Sequence, residues 1–79
     1  MTMLTEEQAI RLAATQDVWK VHIFESERGW GSDSWDVYFD SQQDAYEYRK
    51  KVNKDNPTDH VPDYYMMAYP PEKVKLTLR

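Results

Sequence analysis

Residues 18–40, VWKVHIFESERGWGSDSWDVYFD, decide the fold, because they hold two alternating apolar and polar runs around a glycine-containing segment. In such runs every second side chain lies on the same face of a strand. The apolar face is formed by Trp19, Val21 and Ile23 in the first run and by Trp35, Val37 and Phe39 in the second. Two strands of this kind predict a β-hairpin. We expect its loop from about residue 26 to 33, and Trp35 in the core.

A helix start precedes the hairpin. Thr5 and Gln8 have the spacing of a capping box, and Leu4 lies where it can staple to Ala9. We predict a helix from about 6 to 15. Its expected apolar stripe is Ile10, Ala13 and Ala14.

A second helix is predicted directly after the hairpin. Ser41 or Asp40 caps it, and Asp44 completes a capping box with Ser41. Asn56-Pro57 stops it, because the residue before a proline is driven out of the helical region. The side chains spaced to face the core are Ala45, Tyr48 and Val52.

Two more strands are predicted, YYMMAY at 64–69 and EKVKLTLR at 72–79, separated by a turn at Pro70-Pro71. Both faces of the first are apolar enough to be buried, and the preferred interpretation leaves Tyr65, Met67 and Tyr69 on the open side. The second alternates between apolar and polar residues, and we predict an edge strand whose lysines protect it from pairing with other chains. Its expected inward residues are Val74, Leu76 and Leu78, and its outward ones are Lys73, Lys75, Thr77 and Arg79.

The element order is therefore α-β-β-α-β-β in one small α+β domain, residues 1–79. A ferredoxin-like fold runs β-α-β-β-α-β, and moving its first strand to the C-terminus gives this order. We predict a permuted ferredoxin-like two-layer sandwich with two helices on one face of a mainly antiparallel four-stranded sheet. A domain of this size buries only about 60% of its unfolded surface.

Charge and composition limit the function. Residues 1–48 carry ten acids and three bases, a net charge of −7, whereas residues 49–79 carry a net charge of +3. An acidic face repels nucleic acid and suits a basic protein partner. There is no cysteine, which excludes thiolate zinc sites and a Cys nucleophile and fits a reducing compartment. With no signal peptide or membrane-crossing run visible, we expect a cytoplasmic protein that does not contact membranes.

No catalytic motif is present, so we expect neither enzyme activity nor a cofactor. DHVPD places Asp59, His60 and Asp63 within five residues, a spacing that is common in polar loops and specifies no metal. His22 alternates onto the face away from the predicted core, where it reads as a surface histidine. We therefore expect no catalytic and no metal-binding residues.

One stretch resembles the third strand of RNA-recognition-motif proteins, in which an R-G-F-G-F-V-x-F run places aromatic rings on an open sheet face for base stacking. Residues 28–31, RGWG, match the opening of that run, and Val37 and Phe39 match its end. The resemblance implies a module that binds single-stranded nucleic acid. The intervening SDSWD at 32–36 is foreign to the family and shifts Trp30 out of the position of the family's first aromatic residue.

The whole chain is similar in style to the small inhibitor proteins that bacteriophages make against host enzymes, such as anti-CRISPR and anti-restriction proteins. It shares with them a short, acidic, cysteine-free sequence rich in Tyr and Trp. This resemblance implies a non-enzymatic inhibitor or accessory protein that blocks or modulates an intracellular host protein, including one with a basic nucleic-acid-binding surface. The alternative is a single-stranded nucleic-acid-binding module with an open aromatic sheet face.

The surface predicted to bind a partner combines an open aromatic sheet face with an acidic hairpin. Its candidate residues are Phe24, Glu25, Glu27, Trp30, Asp33, Asp36, Tyr38, Tyr65 and Tyr69. A partner protein, a second copy of the chain or stacked bases aided by Lys20 and Lys75 are possible occupants, unless the first helix covers this face itself. Trp30 either folds back over the sheet end or projects as an anchor, with Gly29 and Gly31 free to take positive φ.

Overall fold

The computed structural model describes residues 3–54, 56 and 62–74. These residues combine two helices with an antiparallel sheet, which confirms the α+β class. In chain order the elements are β1 (Met3–Leu4), α1 (Glu6–Leu12), β2 (Trp19–Glu27), β3 (Gly31–Phe39), α2 (Gln42–Asn53), β4 (Tyr64–Ala68) and β5 (Glu72–Lys73). Neither of the two helices in this part of the chain has the length and apolarity needed to cross a membrane.

Helix α1 begins as predicted but ends early. The Thr5 hydroxyl accepts the Gln8 amide, and the Gln8 side chain accepts the Thr5 amide, so the capping box is confirmed. After Leu12 the helix gives way to a tighter turn, in which the amide and hydroxyl of Thr15 both donate to the Leu12 carbonyl. The predicted apolar stripe is wrong. Ile10 is 49% exposed, and Ala9 is the fully buried residue of this short helix.

The hairpin is longer and its loop shorter than predicted. Strands β2 and β3 pair without interruption from Trp19 opposite Phe39 to Glu27 opposite Gly31. Only residues 28–30 form the connection, where the Trp30 amide donates to the Glu27 carbonyl and Gly29 has a φ of 84°. That combination is a type II turn. The predicted loop at 26–33 was too long because the polar residues 31–33 gave no sign of strand pairing.

Helix α2 covers the apolar face of the sheet. Ser41 caps it by accepting the Asp44 amide, and Ala45, Tyr48 and Val52 face the core as predicted. The buried cluster that they meet consists of Val21, Ile23, Val37, Phe39 and Ala68. Trp35 shares the face of this cluster but is 37% exposed, so its placement in the core was wrong.

Strands β4 and β5 both run antiparallel to β2 along the same edge. Ala68 lies opposite Ile23 and Glu72 lies opposite Lys20, so three residues, 69–71, span the space of two in β2. This extra residue is a β-bulge, and the prolines occupy it because they have no amide to donate to β2. Pro70-Pro71 is therefore an interruption within one edge, and the predicted turn between two neighbouring strands is wrong.

The sheet order is β1-β3-β2-β4, with β5 also paired to β2. The predicted ferredoxin-like permutation would place the C-terminal strand between the third strand and the hairpin. In the described residues β4 instead pairs directly with β2, so the permutation is not confirmed. The inward positions predicted for Leu76 and Leu78 and the outward ones for Lys75, Thr77 and Arg79 lie outside the described residues.

The outer edge of β4 is closed by side chains from the end of α2. Asn53 Oδ1 accepts the Ala68 amide at 2.9 Å, and its Nδ2 donates to the Ala68 carbonyl at 3.0 Å. The Asn53 amide thus pairs with Ala68 as a neighbouring strand would. Asn56 Nδ2 donates to the Met66 carbonyl at 2.9 Å, and Arg49 Nε reaches the Ala68 carbonyl at 3.4 Å.

We expect Asn53→Ala to destabilise the protein. The Ala68 amide loses its partner, and the Ala68 carbonyl keeps only the longer bond from Arg49, at a cost of about 1.5 kcal/mol. For a domain of this size that lowers Tm by roughly 6–12 °C, measured by circular dichroism. The matched control is Gln42→Ala on the exposed side of the same helix. Alanine is the better helix former, so a Tm for Asn53→Ala equal to that of the control would contradict the prediction.

Candidate protein-binding surface

The register places the nine candidate residues on two sheet faces and a tip. The face away from α2, here called the open face, carries Phe24, Asp36, Tyr38, Tyr65 and Tyr69. The α2-side face carries Glu25, Glu27 and Asp33. Trp30 lies in the turn between the strands. The candidates therefore do not form one continuous face, and they come closest to each other around the end of the hairpin.

The open face confirms the preferred register of β4. Tyr65 and Met67 lie on it, whereas Met66 packs against the core and Ala68 is buried. Phe24 and Tyr65 pack with ring centroids 6.1 Å apart, and His22 and Tyr69 with centroids 5.5 Å apart. Such tilted pairs are favourable aromatic arrangements. The paired rings partly shield one another from solvent.

The Tyr38 end of the open face lies beside α1. Helix α1 packs against β3, and burial, Asp36 and Glu6 in that order raise the pKa of Tyr38 above its usual 10.0. Ser34, which pairs with Phe24, lies four residues from Tyr38 along β3 and marks the opposite end of the face. Tyr38 and Ser34 are therefore about 13 Å apart along the strand. The first helix therefore meets the sheet at the end away from the hairpin turn.

Two pairs of polar side chains occupy the middle of the open face. His22 Nδ1 lies 2.8 Å from Asp36 Oδ1, and Lys20 Nζ lies 3.8 Å from Glu72 Oε2. These four side chains line a groove of about 500 Å³ together with Tyr69, Pro70 and Pro71. Asp36 fixes the orientation of the His22 ring, as carboxylates do for imidazoles in many sites. Within the described residues, no cluster of His, Cys, Asp or Glu is suited to a metal ion.

The loop motif DHVPD is only partly described. Asp59 and His60 lie outside the described residues. Asp63 is paired with the hairpin turn, because its carboxylate lies 3.2 Å from Arg28 Nη1 and its carbonyl accepts the Arg28 amide. Asp63 therefore helps to hold the turn in place.

The outer hairpin, defined as residues 25–35, extends beyond the core. Every residue from Glu27 to Asp36 is exposed. Glu25 lies directly opposite Asp33, an arrangement of like charges that costs stability. The Tyr64 hydroxyl offsets part of that cost by donating to Glu25 Oε2 at 2.8 Å. This bond is the main reason why the pKa of Tyr64 is raised; partial desolvation and the charges of Glu25 and Glu27 add to it.

We expect Glu25→Gln to lower the pKa of Tyr64 towards its ordinary 10.0. The neutral phenol is the form that the carboxylate stabilises, so the bond is present below the raised pKa and lost as the pH rises through it. The Tyr64 ring carbon resonances in an NMR pH titration report this pKa. Glu7→Gln, which removes a carboxylate paired with Arg11 on α1, serves as the control. An unchanged Tyr64 pKa in Glu25→Gln would disprove the hydrogen bond.

Trp30 projects from the tip with 84% of its surface exposed. Gly29 and Gly31 use their freedom to take positive φ, with values of 84° and 100°, and no heavy atom lies within 4 Å of either missing Cβ. Backbone conformation, and not space, therefore requires glycine at both positions. The ring does not fold back over the sheet. Because residues 28–30 form the turn, Trp30 does not occupy a strand position like that of the RNA-recognition-motif aromatic residue.

We expect Trp30→Ala to leave the free energy of unfolding unchanged within about 0.5 kcal/mol, as for other exposed positions. Trp35→Ala is the matched comparison, because this tryptophan lies in the same hairpin but is 37% exposed, against 84% for Trp30. It removes contacts beside Ile23 and is expected to cost about 2 kcal/mol, less than a fully buried tryptophan. Urea unfolding followed by far-ultraviolet circular dichroism measures both. A large loss for Trp30→Ala would mean that the ring packs on the protein.

Two features of this surface were missed by the sequence analysis. Tyr64 was predicted to face inward, which is correct for its side of the sheet, but it lies beyond the helix and is 50% exposed. Trp35 is 37% exposed for the same reason. Alternation gives the face of a side chain and not the distance that a helix covers along the strand. A comparison of predicted helix and strand lengths would have indicated both.

Comparison with protein-family models, curated proteins and solved structures found no match to this chain.

Proposed function

We propose that this protein is a non-enzymatic binding protein that inhibits or modulates another protein through the end of its hairpin. The proposal extends to a bacteriophage origin and to a host protein of the cytoplasm as the target, on the similarity in style described above. The observation that carries it is Trp30, which is 84% exposed on a turn braced by Arg28 and Asp63.

An exposed tryptophan on a braced turn is suited to protein recognition. Trp residues are enriched among the few side chains that dominate the binding energy of interfaces. A short turn with a defined conformation also reduces the entropy lost on binding. The hydrogen bonds from Arg28 to Asp63 tie the turn to the chain before β4, so the backbone that carries Trp30 is held in place.

The charge around Trp30 favours a basic partner. Glu25, Glu27 and Asp33 lie together on one side of the outer hairpin. Their field steers the encounter with a positively charged surface, including the nucleic-acid-binding surface of a host protein. Arg28 is the cation of the turn, and it is already paired with Asp63.

The open face supports a nucleic-acid partner less well than a protein partner, although its aromatic rings could stack on bases. Stacked bases bring phosphates that require cations nearby. Lys20 lies on this face, but its ammonium group is 3.8 Å from Glu72, and Asp36 lines the same groove. Lys75 lies outside the described residues. We therefore retain nucleic acid only as an outcome of the test, together with a homodimer.

We expect affinity capture from a bacterial lysate to depend on Trp30. A bound protein should be retained by the wild type and by Tyr46→Ala, which removes an exposed aromatic side chain from α2. Trp30→Ala should weaken its retention by about 30-fold or more, as for an interface hot spot. Quantitative mass spectrometry of the eluates measures this.

Three results would oppose the proposal. One is the absence of any protein whose capture depends on Trp30. Another is tight binding of single-stranded DNA or RNA at low salt that weakens steeply as salt is added. The third is a dimeric mass by light scattering in the wild type that becomes monomeric in Trp30→Ala, because the ring would then bind a second copy.

A further inference from the structure

The two edges of the sheet differ in how far their backbone groups are already hydrogen-bonded. The β4 edge is closed by Asn53 and Asn56, which bond to backbone groups of Ala68 and Met66. The β3 edge is paired with β1 only at Tyr38 and Phe39. Among the described residues, no strand pairs with the outer side of β3 from residue 31 to 37.

The register shows which backbone groups this edge presents. His22 accepts the Tyr69 amide on the β4 side of β2, so the backbone groups of Ile23 point the other way, towards β3. Backbone direction alternates along an antiparallel strand. Trp35, opposite Ile23, therefore bonds to β2. Ser32, Ser34 and Asp36 direct their amides and carbonyls to the free side.

One hydrogen bond supports this alternation. The Ser34 amide donates to Asp33 Oδ1 at 2.8 Å, which it does only because it is outside the ladder with β2. The Asp33 carboxylate therefore already accepts the hydrogen bond of the Ser34 amide, which is the middle one of the three amides on this edge. The amides of Ser32 and Asp36, on either side of it, remain directed to the free side.

The edge is long enough to pair with another strand. Residues 31–37 span about 23 Å, the length of an ordinary strand. Residues 31–36 are all exposed, so neither face of the edge is covered. Long exposed edges are usually blocked by charge, proline or a covering element, because they are templates for strand addition.

We propose that the free edge of β3 binds an extended basic segment of the target protein, which adds to the sheet as a further strand. This inference rests on the proposed function and specifies how the partner is held. Main-chain hydrogen bonds to Ser32 and Asp36 supply affinity, and side-chain positions on the two faces supply specificity.

Charge complementarity identifies the incoming segment. On the α2-side face its side chains lie next to Asp33, with Glu25 one strand further, and next to Trp35. A basic residue fits the first position and an apolar residue the second. On the open face the neighbours are Ser32, Ser34 and Asp36, which suit small polar side chains. A second copy of this chain fits poorly, because residues 31–37 of β3 contain no basic side chain that could lie beside Asp33.

The test uses a synthetic peptide of about eight residues, long enough for the edge, in which threonine alternates with lysine or valine. Binding is followed by amide shifts in ¹⁵N-correlated NMR spectra at millimolar peptide. We expect shifts that include Ser32 and Asp36 and a slower exchange of both amides. The same peptide with glutamate in place of lysine should bind about tenfold or more weakly. An absence of shifts at residues 31–37 would overturn the proposal.

Two controls separate main-chain pairing from charge attraction. Ser32→Pro removes one edge amide without touching the bonds to β2, and Ser32→Ala keeps that amide. We expect about tenfold weaker binding for the proline variant only. Should Ser32→Pro not fold, methylation of alternate peptide nitrogens makes the same test on the unaltered protein. Equal binding by the methylated and unmethylated peptides would overturn edge pairing, as would a dimer of the free protein that protects both amides.

The captured target distinguishes this proposal from the proposed function. If Trp30→Ala loses the target while Ser32→Pro and Ser32→Ala both retain it, the edge proposal is wrong and the proposed function stands. If none of the three changes affects capture, both are wrong. Loss in Trp30→Ala and Ser32→Pro, with retention in Ser32→Ala, supports both.

Discussion

The structure depends on the pairing of β2 with strands on both of its sides. One side pairs with β3 over all nine residues, and the other with β4 and then β5. Val21 and Ile23 stand at the centre of this arrangement and are completely buried. With the core clustered around them, the fold places its apolar surface at one end of the hairpin and leaves the other end free. A charge at either position would leave α2 without a surface on which to pack.

The length of the hairpin explains why its outer end is available for binding. Nine residues of strand extend about 30 Å, whereas the twelve residues of α2 extend about 18 Å. Even a helix aligned with the strands leaves part of the sheet uncovered. The residues beyond the helix are polar or acidic, except for Trp30 and the partly covered Trp35. Their composition suits solvent, so the uncovered end does not destabilise the protein as an apolar extension would.

The sequence predicted the elements that depend on local periodicity and missed those that depend on pairing. Alternation located β2 and most of β3, and caps and spacing located both helices. The first residues of β3, GSD, have low strand propensity and were assigned to the loop; their pairing with residues 25–27 overrides that preference. β1 has two residues, too few for any periodic signal. The bulge at Pro70-Pro71 depends on which strand lies alongside, and no local pattern specifies that.

The sequence predicted which face holds the aromatic candidate residues, but not how the whole candidate set is distributed over the two faces of the sheet. Sequence alternation correctly placed Phe24, Tyr38 and Tyr65 on one face. The candidate set also grouped these aromatic residues with Glu25, Glu27 and Asp33, which the register places on the opposite face. What joins the two groups is the free edge of β3 between them. A strand added there would touch both faces at once, and an edge is a property of the sheet that no single segment of sequence records.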